Sequence, residues 1–75
     1  MALTREELLF LYYLYRYGAI KRQHVRLAPM LASVKLRRIA RLVRRGLVRR
    51  VGEYYIITED GRWLVEVLRA SRLDL

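Results

Sequence analysis

Five arginines, Arg37, Arg38, Arg41, Arg44 and Arg45, crowd into one short stretch of this sequence. On a helix, at about 100° per residue, they fall within one arc about 120° wide. Leu36, Ile39, Ala40, Leu42 and Val43 fall opposite, where a helix would face a core. Guanidinium groups are planar, bidentate forks that match phosphate oxygens and the O6 and N7 edge of guanine. Between Leu8 and Gly52 the chain has 12 Lys and Arg and no Asp or Glu. The acids lie outside, at Glu6, Glu7, Glu53, Glu59, Asp60, Glu66 and Asp74. A stretch so one-sided repels itself and is best used against a polyanion. The chemistry implied is anion recognition, with nucleic acid the natural partner.

Bond-breaking chemistry has little to build on. There is no cysteine, and the lone His24 has no acid and hydroxyl at helical spacing to complete a catalytic set. No glycine-rich phosphate loop is present, and the acids are scattered. The expectation is a protein that is not an enzyme, with no cofactor, no metal and no small-molecule ligand evident.

Seventy-five residues with net charge +9 and 55% hydrophobic content read as one folded basic domain, not a disordered tail. A domain this small buries only about 60% of its unfolded surface, so its core gains from a supplement. Without cysteines, oligomerisation is the supplement left. Arg outnumbers Lys 14 to 2, Asn is absent and Gln23 is the single Gln. That bias suits arginine-fork recognition, and equally a GC-rich genome or a hot habitat. The longest apolar run, Leu8 to Tyr15, is far shorter than the roughly 20 residues that span a bilayer. It follows Arg5, Glu6 and Glu7 without a cleavage-like site, so a soluble, cytoplasmic chain with no membrane partner is expected.

The elements that must position the arginines follow from local signals. Thr4 and Glu7 form a capping box that opens a helix over 5–17, with Gly18 as its left-handed stop. That helix is apolar almost all round, which argues for burial beyond a single core contact. Ala19 and Ile20 suit a short strand or extended link. A second short helix is expected over 21–28, with Val25 and Leu27 or Ala28 inward and Pro29 ending it or opening the next turn. Ser33 is the expected N-cap of a third helix over 33–45, stopped by Gly46. Residues 47–51 and 54–58 are β-prone runs around Gly52-Glu53, the pattern of a tight type II′ hairpin. In its register Val48, Arg50, Tyr55 and Ile57 share one face. Thr58 then caps a last helix over 59–71, with Glu59 and Asp60 in its first turn.

This order, with the segment Leu42-Val43-Arg44-Arg45-Gly46-Leu47-Val48-Arg49-Arg50, resembles a winged helix-turn-helix of the MarR- and PadR-like regulators. The segment is similar to the family's recognition-helix end, where Gly-Leu-Val leads into the wing. Tyr55-Ile56-Ile57-Thr58-Glu59-Asp60-Gly61 is similar to its strand ending in Thr-x-x-Gly. The resemblance covers roughly residues 8 to 70 and implies an α+β fold, mainly α: a three-helix core, a two-stranded wing and a C-terminal helix. Typical members are longer and carry extra dimerisation helices, so this is a minimal version, similar to small archaeal or viral regulators. Glu53 at the wing tip speaks against insertion of the wing into a minor groove.

The resemblance implies double-stranded DNA as partner, with the third helix in the major groove. Ser33, Lys35, Arg37, Arg38 and Arg41 become the expected DNA face, with Arg38 and Arg41 reading guanine. Arg44 and Arg45 are expected at phosphates, although arginines there also offset the helix dipole. Lys21, Arg22, Gln23 and Arg49 are expected at the DNA backbone, and Arg50 packs its stem on the core side. A homodimer is expected through Leu9, Phe10, Tyr13, Leu14, Tyr17, Leu64 and Leu68. The leading function is sequence-specific transcriptional regulation; a sequence-tolerant architectural protein and a protein–protein assembly module are the alternatives.

Overall fold

A computed structural model describes residues 3–71 of the chain. The first helix, α1 (Arg5–Tyr17), begins with the expected capping box: Thr4 Oγ1 accepts from the Glu7 amide, and Glu7 Oε1 accepts from the Thr4 amide. It ends at Gly18, whose φ of 90° no side-chain-bearing residue adopts without strain. The chain then runs as β1 (Ala19–Lys21).

The expected second helix differs in kind. Arg22–Leu27 is a 3-10 helix, not an α-helix. Its entry is tied to the sheet, because the Arg22 amide donates to the Glu53 carbonyl at the hairpin turn (2.7 Å). Its exit is closed by Pro29, which holds the preceding Ala28 extended (φ −78°, ψ 118°). Six residues between those anchors take the tighter winding. A further 3-10 turn, Pro29–Leu31, follows.

The arginine-bearing helix is also shorter than expected. It is α2 (Leu36–Arg44), and Lys35, not Ser33, is its N-cap. Val34 explains the shift: it is buried with Ile39, at the spacing of a hydrophobic staple, so the helix starts after it. Ser33 stays in the exposed turn before it. Lys35 has no capping side chain, and its amide donates instead to Glu6 Oε1 of α1 (3.3 Å). At the other end Gly46 N–H reaches the Val43 carbonyl and Leu47 N–H the Leu42 carbonyl, with Gly46 at φ 76°. That is a Schellman stop.

Strands β2 (Val48–Val51) and β3 (Tyr54–Ile57) pair antiparallel around Gly52-Glu53, with Val48 opposite Ile57 and Arg50 opposite Tyr55, the register read from the sequence. Gly52 has φ 59°, as a primed turn requires. The expected two-stranded sheet gains a third strand, because β1 pairs along β3 in the order β1-β3-β2. Thr58 caps α3 (Glu59–Ala70) by accepting from the Gly61 amide. The architecture is α+β: helices on one face of a small three-stranded antiparallel sheet.

Ile20, Val48, Tyr55 and Ile57 point from the sheet into one core with Phe10, Leu11 and Leu14 of α1, Ile39 and Leu42 of α2 and Val65 of α3. The Phe10 and Tyr55 rings meet edge to face at 5.7 Å. No helix among the described residues is long and apolar enough to cross a membrane.

The Thr-x-x-Gly signal has a physical cause. Thr58 Oγ1 donates to the Gly46 carbonyl (2.7 Å), and the Thr58 amide donates to the Leu47 carbonyl (3.2 Å). Gly61 is pressed so close that an added Cβ would collide with the Leu47 carbonyl oxygen and with Ile57 Cγ1. Gly61→Ala is therefore expected to lower stability by about 1–3 kcal/mol through overpacking. Urea denaturation measures it, and an unchanged midpoint would contradict this packing.

Candidate nucleic-acid interface

The side of α2 that faces outward is decided by α1. Glu7 is completely buried, and its Oε2 lies 3.6 Å from Arg41 Nε, with Arg41 about 36% exposed. A carboxylate out of water requires a nearby cation, and α2 supplies it. Arg38 and Arg45 lean the same way: Arg38 Nε and Arg45 Nη1 are buried without a hydrogen-bond acceptor. Both side chains are half-buried. Three of the five arginines in the expected arc thus lie along the flank of α2 next to the body of the protein.

The outward side is rotated from that arc and centres on Leu36, Arg37, Ala40 and Arg44, all exposed. Leu36 and Ala40, expected to face the core, do not: Leu36 is 56% exposed. The core contacts of α2 come from Ile39 and Leu42, with Val43 partly buried.

Two adjoining open grooves run beside this outward side. One, of about 470 Å³, is lined by Arg22, Gln23, Val25, Arg26, Leu36 and Glu53. The other, of about 350 Å³, is lined by Arg22, Leu36, Ala40, Val43, Arg44, Arg50 and Tyr55. Arg22 and Leu36 belong to both, so the grooves meet at the start of α2. Arg22, Arg26, Arg44 and Arg50, from three elements, line one or both of these grooves, with Glu53 the one acid among the described residues lining either.

The expected contact residues divide accordingly. Arg22, Gln23 and Arg44 line the grooves, and Arg37 stands beside them on the outward side of α2. Ser33 and Lys35 are exposed at the N-terminal end of α2. Arg41 lies beside Glu7 as an ion pair at 3.6 Å without a hydrogen bond, and Arg38 and Arg45 are half-buried. Lys21 and Arg49 lie on the sheet's other face, since Lys21 pairs with Tyr54 and Arg49 with Ile56 while Ile20, Tyr55, Val48 and Ile57 point to the core. Arg50 lies on the core side of the sheet opposite Tyr55, and its exposed side chain lines a groove. Sequence reasoning missed Arg26. Its signal was the three-residue spacing from Gln23, which puts both in one row of a 3-10 helix.

The residues expected at a dimer interface do not share one surface either. Phe10 and Leu14 are completely buried in the core and are unavailable to a second copy. Tyr13 lies on the β1 side of α1, where it meets the Tyr17 ring, whereas Tyr15 turns to Glu66, Arg62 and Arg69 of α3. Leu9, Leu64 and Leu68 are half-buried. No family model, curated protein or solved structure matches this chain.

Removing the Arg41 charge should leave the Glu7 carboxylate buried without a cation. Arg41→Met is expected to lower stability by about 1–3 kcal/mol, below the usual figure for a buried pair because Arg41 is partly in water. Arg44→Met is expected to change it little. In Glu7→Gln/Arg41→Met the loss should largely disappear, since glutamine also completes a capping box. A double-mutant cycle showing independent effects would contradict the coupling.

Proposed function

We propose that this chain is a minimal winged helix-turn-helix protein that binds double-stranded DNA and regulates transcription at specific sites. The observation that carries the reading is the convergence of Arg22, Arg26, Arg44 and Arg50 on adjoining grooves beside the outward side of α2. A merely solvated face mixes signs, and this one is basic apart from Glu53. In this reading α2 enters the major groove by its Leu36, Arg37, Ala40 and Arg44 side. Base reading passes from Arg38 and Arg41 to Arg37 and Arg44, each able to hold guanine O6 and N7, worth about 1–3 kcal/mol of discrimination. Arg22, Arg26 and Arg50 neutralise phosphates, and the β2–β3 hairpin serves as the wing.

Selection of bound sequences from a random duplex pool, followed by anisotropy titrations, tests this. Arg44→Ala is expected to weaken the selected site by about 1–3 kcal/mol and relax one base position. Arg26→Ala or Arg50→Ala should weaken all duplexes evenly and lower the log–log salt slope by about 1. Arg49→Ala should leave duplex affinity unchanged. Equal affinity for all sequences would favour an architectural role, and no duplex binding at low salt would leave a protein–protein assembly module.

Pairing of two copies belongs to the same proposal, on a surface narrower than the sequence implied. Trp63, 64% exposed, and Val67 stand one turn apart on the outer side of α3. With the half-buried Leu64 and Leu68 of the same helix, they offer apolar area for a two-fold contact. Such a dimer can set two α2 helices about 34 Å apart, for successive major grooves. Light scattering is expected to give about twice the 9.0 kDa chain mass, falling to one chain in Trp63→Arg. A monomer at tens of micromolar would contradict the dimer.

A further inference from the structure

The sheet has a second face, and among the described residues no helix covers it. Arg49, Ile56 and Ala19 form one cross-strand row on it, and Val51, Tyr54 and Lys21 the next. Tyr54 is 47% exposed, and Val51, Arg49 and Ala19 are also exposed. Beside these rows runs an open groove of about 380 Å³, lined by Tyr13, Lys21, His24, Leu27 and Tyr54 among others. It shares no lining residue with the grooves beside α2. Tyr17, 61% exposed, extends the row of rings: its centroid lies 4.6 Å from that of Tyr13. The Arg16 guanidinium lies 5.7 Å from the Tyr17 ring.

Tyr13, Tyr54 and the 73% exposed Leu27 therefore line one groove, with Tyr17 beside Tyr13, at a cost in exposed apolar surface that a free monomer does not recover. The charges around the groove select the occupant. Lys21 lines it, Arg16 lies against the Tyr17 ring, and Arg49 stands on the sheet's second face, while among the described residues no carboxylate lines the groove. A second copy of this face would bring like charges together, and an aliphatic peptide would leave them unpaired. A duplex hides the faces of its bases in its own stack. A ligand that offers flat rings and a negative charge at every step satisfies both the tyrosines and the cations.

We propose that this groove binds single-stranded nucleic acid, with unpaired bases stacked on Tyr54, Tyr13 and Tyr17 and the backbone along Lys21, Arg16 and Arg49. Rings of any base stack comparably, so the site is tolerant of sequence. It is independent of the duplex reading, because it shares no lining residue with the grooves beside α2.

The test is anisotropy of a fluorescent, mixed-sequence single-stranded oligonucleotide without self-complementarity, prepared as DNA and as RNA. The wild-type chain is expected to bind at least one of them. Tyr54→Ala and Tyr17→Ala should each weaken that binding by about 5- to 150-fold, the range for loss of one stacked base. Tyr54→Phe, which keeps the ring, should bind as the wild type does, and circular dichroism of each variant checks that the fold persists. Arg44→Ala, in the other groove, should retain single-strand affinity. Wild-type failure to bind either strand would overturn the proposal. So would unchanged affinity in both alanine variants, or a loss in Arg44→Ala as large as in Tyr54→Ala. A dimer that Tyr54→Ala dissociates without altering strand binding would assign the face to a second copy instead, and would also overturn it.

Discussion

One buried carboxylate sets the orientation on which the candidate interface depends. Glu7 is withdrawn from water at the start of α1, where it closes the capping box with Thr4 and faces the Arg41 guanidinium of α2 at 3.6 Å. Its neighbour Glu6 accepts the Lys35 amide that opens α2. Two adjacent acids on one turn thus hold α2 both at its first residue and near its middle. Rotation of α2 about its own axis would strand Glu7 without a cation, which is strongly unfavourable in a low-dielectric interior. With the rotation fixed, Arg38, Arg41 and Arg45 turn to the body of the protein, and Leu36, Arg37, Ala40 and Arg44 turn to solvent.

The other end of α2 is fixed by a different device with the same consequence. The Schellman stop at Gly46 delivers Leu47 to a junction where Thr58 and Gly61 meet its carbonyl group. The start of β2, the end of β3 and the first turn of α3 are thereby held at one point. From that point the hairpin carries Arg50 back beside Arg44, and the Arg22 amide bonded to the Glu53 carbonyl brings the 3-10 segment to the same place. Backbone hydrogen bonds, more than side-chain pairing, gather the arginines. The sheet is covered on one side only, and that leaves the tyrosine-lined groove on the other.

Signals written in the local chain were legible in the sequence. The capping box of α1, the hairpin register around Gly52, the Gly46 stop and the Thr58 cap all stand where the residues put them. Features decided by distant partners were not. The 3-10 winding of Arg22–Leu27 depends on a bond to the hairpin turn as well as on Pro29, and periodicity within six residues does not reveal it. The helix start passed from Ser33 to Lys35 because Val34 is needed in the core, although serine is the better cap. The largest difference, the rotation of α2, arises because Glu7 is an ion-pair partner of Arg41 as well as a local capping residue. A capping glutamate next to a helix of five arginines is also a candidate ion-pair partner, and that second role selects the buried flank.

In the proposed reading, duplex binding depends on the geometry of α2 rather than on the abundance of arginine. The most direct measurement is a titration of isotope-labelled protein with duplex DNA, followed by nuclear magnetic resonance. The account expects the largest shifts in Arg22, Gln23 and Arg26, along Leu36, Arg37, Ala40 and Arg44, and at Arg50, with Glu7 and Arg41 nearly unmoved. Shifts concentrated on the Arg38, Arg41 and Arg45 flank, or on α1 and α3 with the grooves silent, would contradict it.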